Sequence, residues 1–284
     1  MRIVLSLGAL ALVAAVVAAL TTGGGDGRRN GREVAASFYP LAYAAQRAGG
    51  PGLVVRNLTP PGAEPHDLEV SADDVRTLHA AHLVLLLGHG FQPQLERAAG
   101  HGPRVLRLLD TPGLRRRGHN DPHVWLDPVR YALVARRVAS ALNRPAAAAG
   151  LQTRLAELDG AYRRGLARCA RREIVTSHEA FGYLAQRYGL RQVAITGLSP
   201  EAEPTPRQLS RVVGAIRLTG ATTVFTETLV SPRLARTVAR ETGARTAVLN
   251  PVEGLTGREQ RRGEDYFSLM RRNLAVLRRG LGCR

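Results

Sequence analysis

Three histidines carry the chemistry open to this chain. His66 lies in Gly62-Ala63-Glu64-Pro65-His66-Asp67-Leu68-Glu69, His123 in Asp121-Pro122-His123-Val124-Trp125-Leu126-Asp127-Pro128, and His178 in Thr176-Ser177-His178-Glu179-Ala180-Phe181. They are 57 and 55 residues apart, far too wide for a local finger, so only the fold can assemble them. Three imidazoles at one point suit zinc or a similar first-row cation. The other five, His79, His82, His89, His101 and His119, read as solvated or structural. His79 and His82 are spaced to share a helix face, but nothing nearby completes a site.

The elements that must position these residues alternate between strand and helix. Strands are expected at 33–39, 53–58 and 83–87, the last continuously apolar as in a parallel sheet covered on both faces. Helices are expected at 41–48 and 71–80. Residues 145–170, rich in Ala, Leu and Arg, have helical spacing through Leu151, Leu155, Leu158, Tyr162 and Leu166, and predict a spine of roughly 35 Å. Strands at 173–176, 193–195, 223–226 and 246–249 then alternate with helices at 206–218, 232–242 and 266–281. The pattern predicts an α/β protein of two (β/α) lobes with mainly parallel sheets, 33–144 and 171–284, joined by one helix. Ligands of such sheets bind beyond the carboxyl ends of the strands, so the three His are expected in a cleft between the lobes.

Residues 3–20 are apolar and uncharged, which predicts an export signal or N-terminal anchor over 1–20, followed by a Gly-rich spacer, 21–32. No Cys ends the apolar run, so no lipid anchor is expected there. Cys169 and Cys283 are the only cysteines, and in an exported chain they predict one disulfide. The formal charge of +17 comes from Arg alone, spread along the chain with aromatics at 5%, so nucleic-acid binding is not expected.

These residues resemble the zinc/manganese solute-binding proteins of ABC importers. The matching pieces are Ser37-Phe38-Tyr39-Pro40, Glu64 to Glu69, His123 to Pro128, Thr176 to Tyr183, Phe225-Thr226-Glu227 and Leu249 to Leu255, in the expected order over 33–284. The resemblance implies a monomeric, non-enzymatic extracytoplasmic receptor that hands Zn²⁺ (or Mn²⁺) to an ABC permease, touching the membrane through that permease or an uncleaved N-terminus. It places ligands at His66, His123 and His178. Its usual fourth ligand, an Asp, is Asn250 here, a weak or vacant position for which Glu253, Glu227 or Glu64 could substitute; Asn250→Asp is then expected to tighten binding. The His-rich loop that zinc-selective members often carry is replaced by a short Arg-rich stretch, 100–120, although three His still favour zinc over manganese. Asp127 and Glu179 either orient ligand imidazoles or cap helices, and Trp125 packs the loop. The alternatives are a degenerate member that has lost metal and acts in adhesion or interaction, and a zinc hydrolase with Glu253 or Glu227 as base.

Overall fold

Alternation along single strands builds the molecule. In strand β3 (Leu83–Leu86), Leu83 and Leu85 face one apolar cluster while Val84 and Leu86 face another, so both faces of the sheet are covered. The computed structural model describes residues 33–114 and 121–284. The apolar segment 3–20, the spacer 21–32 and His119 lie outside the described residues.

Strands β1 (Glu33–Ala36), β2 (Val54–Asn57), β3 and β4 (Val105–Arg107) form a parallel sheet in the order β2-β1-β3-β4. Val34 stands opposite Val55 and Leu83. Strands β5 (Glu173–Thr176), β6 (Arg191–Ala194), β7 (Thr223–Thr226) and β8 (Arg245–Val248) repeat that order as β6-β5-β7-β8, again parallel. Each lobe therefore has a switch point at its centre, between β1 and β3 and between β5 and β7, where the crossovers leave in opposite directions and a crevice opens.

The outer face of the first sheet is covered by α2 (Ala72–Ala80) and α3 (Pro93–Ala99), through Leu78 and Leu95. That of the second is covered by α7 (Pro206–Thr219) and α8 (Arg233–Thr242), through Val212, Ile216, Ala235 and Val238. Between the sheets lie α1 (Tyr39–Gly49), α4 (Pro128–Ala141), α5 (Ala149–Gly165), α6 (Gly182–Arg187) and α10 (Tyr266–Leu281). One apolar cluster runs through this middle layer, from Val34 and Leu85 of the first sheet to Ile174 and Phe225 of the second.

The spine is shorter than its sequence implies. Pro145–Ala148 forms a 3₁₀ turn and α5 spans 17 residues, about 25 Å. Just beyond its end, Arg172 donates to the carbonyls of Leu166 and Ala167. The chain then turns so that Cys169 pairs with Cys283 in a disulfide. His82 lies past the end of α2, where its N–H donates to Glu33 O, so it does not share a helix face with His79.

Candidate metal centre

His178 lies two residues beyond β5, and Glu227 one residue beyond its neighbour β7, at the second lobe's switch point. The Glu227 carboxylate takes the His178 backbone N–H at 3.1 Å and faces its Nδ1 at 2.6 Å. His123 sits in the loop between β4 and α4, with Asp121 two residues earlier. Asp121 Oδ1 accepts the His123 backbone N–H at 3.0 Å and faces Nδ1 at 2.9 Å. His66 follows β2 in a loop of the same design, Glu64-Pro65-His66, where Glu64 Oε1 accepts the His66 N–H at 3.0 Å. Each of the three histidines thus has its backbone N–H on a carboxylate. For His123 and His178 the same carboxylate also faces Nδ1, so that a neutral ring with its proton on Nδ1 directs its Nε2 lone pair inward.

The inward nitrogens converge on one oxygen. Glu253 Oε1 lies 3.5 Å from His66 Nε2, 3.2 Å from His123 Nε2 and 3.6 Å from His178 Nε2. One donor atom from each of these four residues lies within 4.8 Å of all the others. His123, His178 and Glu253 are fully buried, and the His66 side chain is 10% exposed. Among the described residues, His66 Nε2 and both Glu253 oxygens have no hydrogen-bond partner, a costly arrangement for buried polar atoms unless something binds between them. Three nitrogens and one carboxylate oxygen are the donor set of a closed tetrahedral zinc site.

Charge reinforces the geometry. Burial pushes the His178 imidazole down, but Glu227 and then Glu253 outweigh it and hold its pKa well above the usual range. His123 is raised in the same way, with Asp121 and Glu253 overcoming burial. Burial pushes Glu253 up, yet three imidazoles hold it well below the carboxylate range. Burial lowers His66. Glu64, buried and repelled by Glu253, is pushed up to about 8.

Three comparisons complete this geometry. Residues 34–280 match the family model described as zinc-uptake complex component A, periplasmic. The chain belongs to the zinc-uptake component A family. It is 30% identical to the high-affinity zinc uptake system protein ZnuA of Bacillus subtilis, over 95% of this chain and 94% of that protein. It is 31% identical to the zinc-binding protein AdcA of Streptococcus pyogenes over 87% of this chain, yet spans only 55% of that relative's length. It superimposes on the Zn(II)-bound ZnuA-like domain of Streptococcus pneumoniae AdcA with a TM-score of 0.73 at 31% identity, covering 88% of this chain and 98% of that domain.

In this member of the zinc-uptake component A family the structure brings His66, His123 and His178 together, with Glu253 as their fourth neighbour. It does not bring Asn250 to that point. The Asn250 amide oxygen accepts the Val252 N–H at 2.7 Å and its Nδ2 donates to Glu259 at 3.2 Å. Asn273 holds its backbone N–H and carbonyl. The reason is the turn that follows Asn250: Val252 has φ 58°, and this left-handed step presents Glu253 to the imidazoles. Glu227 and Glu64 hold histidine N–H groups rather than joining the cluster. Asp127 caps α4 through Val129 N–H and pairs with Arg187 at 3.2 Å. Asp121, unassigned by the sequence reading, takes the orienting role. The repeated acid-Pro-His step in Glu64-Pro65-His66 and Asp121-Pro122-His123 was the available signal for it. Trp125 is buried against Phe38, Phe91 and His123, as expected of a packing residue.

Proposed function

We propose that this protein is an extracytoplasmic receptor that captures Zn²⁺ and passes it to an ABC permease, with His66, His123, His178 and Glu253 as the ligands. The observation that carries this reading is the convergence of three imidazole nitrogens on a buried Glu253 carboxylate that has no hydrogen-bond partner among the described residues. Glu253 supplies a carboxylate beside the three imidazoles, so the cation is not left with neutral ligands alone. Zinc is favoured over manganese because nitrogen donors dominate. Four protein donors also favour carriage over hydrolysis: a catalytic zinc keeps an open position for water, and Glu253 sits among the ligands instead of beside them as a base. In this reading the protein acts as a monomer. Residues 3–20 export it or anchor it, and the intact mass of the protein isolated from its cells shows whether they are retained.

Elemental analysis with zinc titration of the purified protein tests the function. One zinc per chain, lost in both His178→Ala and Glu253→Ala, is expected. Wild-type protein that takes up no metal at micromolar concentrations would instead mark a member that has abandoned transport.

A further inference from the structure

Each lobe's ligand loop is held by a side-chain donor from the other lobe. Trp125, the single tryptophan of the chain, lies in the first lobe two residues after His123. Its indole Nε1–H donates to the carbonyl of Pro251 at 2.8 Å, two residues before Glu253 in the second lobe. Tyr183, in α6 of the second lobe, reciprocates. Its hydroxyl donates to the carbonyl of Asp121 at 3.1 Å, and the Asp121 side chain carries His123. Both donors are buried, each 1% exposed. A backbone bond from Gly62 N–H to Leu255 O, 2.9 Å, joins the His66 loop to the Glu253 loop alongside them.

From this crossing we infer that Trp125 and Tyr183 are positioning residues, a reciprocal brace that presets the spacing of the first-lobe donors His66 and His123 from the second-lobe donors His178 and Glu253. The inference rests on the zinc-receptor reading. Its physical basis is that zinc–ligand distances tolerate errors of only a few tenths of an ångström, about 0.2 Å. A site split between two lobes retains its ion only as well as the lobes hold their separation. Neither residue coordinates the metal. Their effect passes through Pro251 to Glu253 and through Asp121 to His123.

The test compares Trp125→Phe and Tyr183→Phe, which keep an aromatic ring and delete the donor, with Tyr162→Phe. Tyr162 is an equally buried tyrosine whose hydroxyl donates to Met270 O at 2.7 Å, outside the ligand loops. Zinc release is followed with a competing chelator, coordination geometry by the visible spectrum of the Co²⁺-loaded protein, and stability by metal-free unfolding. The brace predicts zinc release faster by about 10- to 100-fold and an altered cobalt spectrum in both variants, the range typical of groups behind metal ligands. Tyr162→Phe should lower stability yet keep the wild-type rate and spectrum. Wild-type release and spectrum in the two brace variants overturn the inference while leaving the receptor intact. Equal acceleration in Tyr162→Phe also overturns it, since general loosening would then account for the effect. If Trp125→Phe does not fold, Tyr183→Phe carries the same test. Wild-type protein that takes up neither zinc nor cobalt overturns the receptor reading and the brace with it.

Discussion

Asn250 shows how little a residue's type says about its role until its partners are known. Its side chain is 4% exposed, with Nδ2 on the Glu259 carboxylate. Asn250→Asp would set two carboxylates together in a buried place and delete a hydrogen bond. We predict a loss of stability of about 1–3 kcal/mol and no gain in zinc affinity, measured by denaturant unfolding and zinc titration. Tighter zinc binding at unchanged stability would return Asn250 to the metal. His178 gives a second prediction. Its folded pKa is raised, so it stabilises the metal-free fold below about pH 6.5, and that contribution is lost as pH rises through the folded value. Zinc needs the neutral ring, so proton and metal compete. The zinc-induced rise in Tm should therefore grow from about pH 5.5 to about pH 8. A rise that is constant or larger at the acidic end would count against His178 as a ligand.

Most elements with strong local signals were legible in the sequence, and boundaries set by distant residues were less so. Strands β5 and β7 and helix α10 lie where their apolar patterns put them. Helix α4 went unassigned although Asp127 and Pro128 start it and Tyr131, Val134, Ala135 and Val138 recur at helical spacing on its buried side. The end of α5 was less legible, since the residues just past it are held by distant partners, Arg172 on Leu166 O and Cys283 on Cys169. This bridge spans 114 residues and encloses the whole second lobe. In the chain-entropy model its loss costs at most about 4–5 kcal/mol, by constraining the unfolded chain. Unfolding of Cys169→Ser/Cys283→Ser should show a large part of that loss, while one zinc per chain is still bound. Unchanged stability would mean that the second lobe does not unfold with the bridge as its closing point.

Across the whole molecule, the shared apolar core decides how the two lobes behave. Phe38 and Trp125 from the first lobe, Tyr162 from the spine, and Phe181, Tyr266 and Phe267 from the second belong to one buried cluster. Lobes joined by a large apolar interface do not swing freely. The Tyr266 hydroxyl on Trp125 O and the Tyr43 hydroxyl on Asp265 add polar ties across the same interface. Small-angle scattering of the metal-free and zinc-loaded protein should accordingly give the same radius of gyration. A clear contraction on adding zinc would show a hinge that this core does not restrain.

The sequence alone determined the alternation of strand and helix, the two-lobed plan and the identity of the three histidines, because periodicity and short motifs are local properties. Only the tertiary structure placed Glu253 beside the three imidazoles and set the groups around them. Glu253, Glu227 and Glu64 were equal candidates along the chain, and Asn250 stood ahead of them by position. What separated them was a left-handed turn at Val252, the pairing of β5 with β7, and two hydrogen bonds that cross between the lobes. Those contacts join residues dozens of positions apart, and no local pattern in a single chain encodes them.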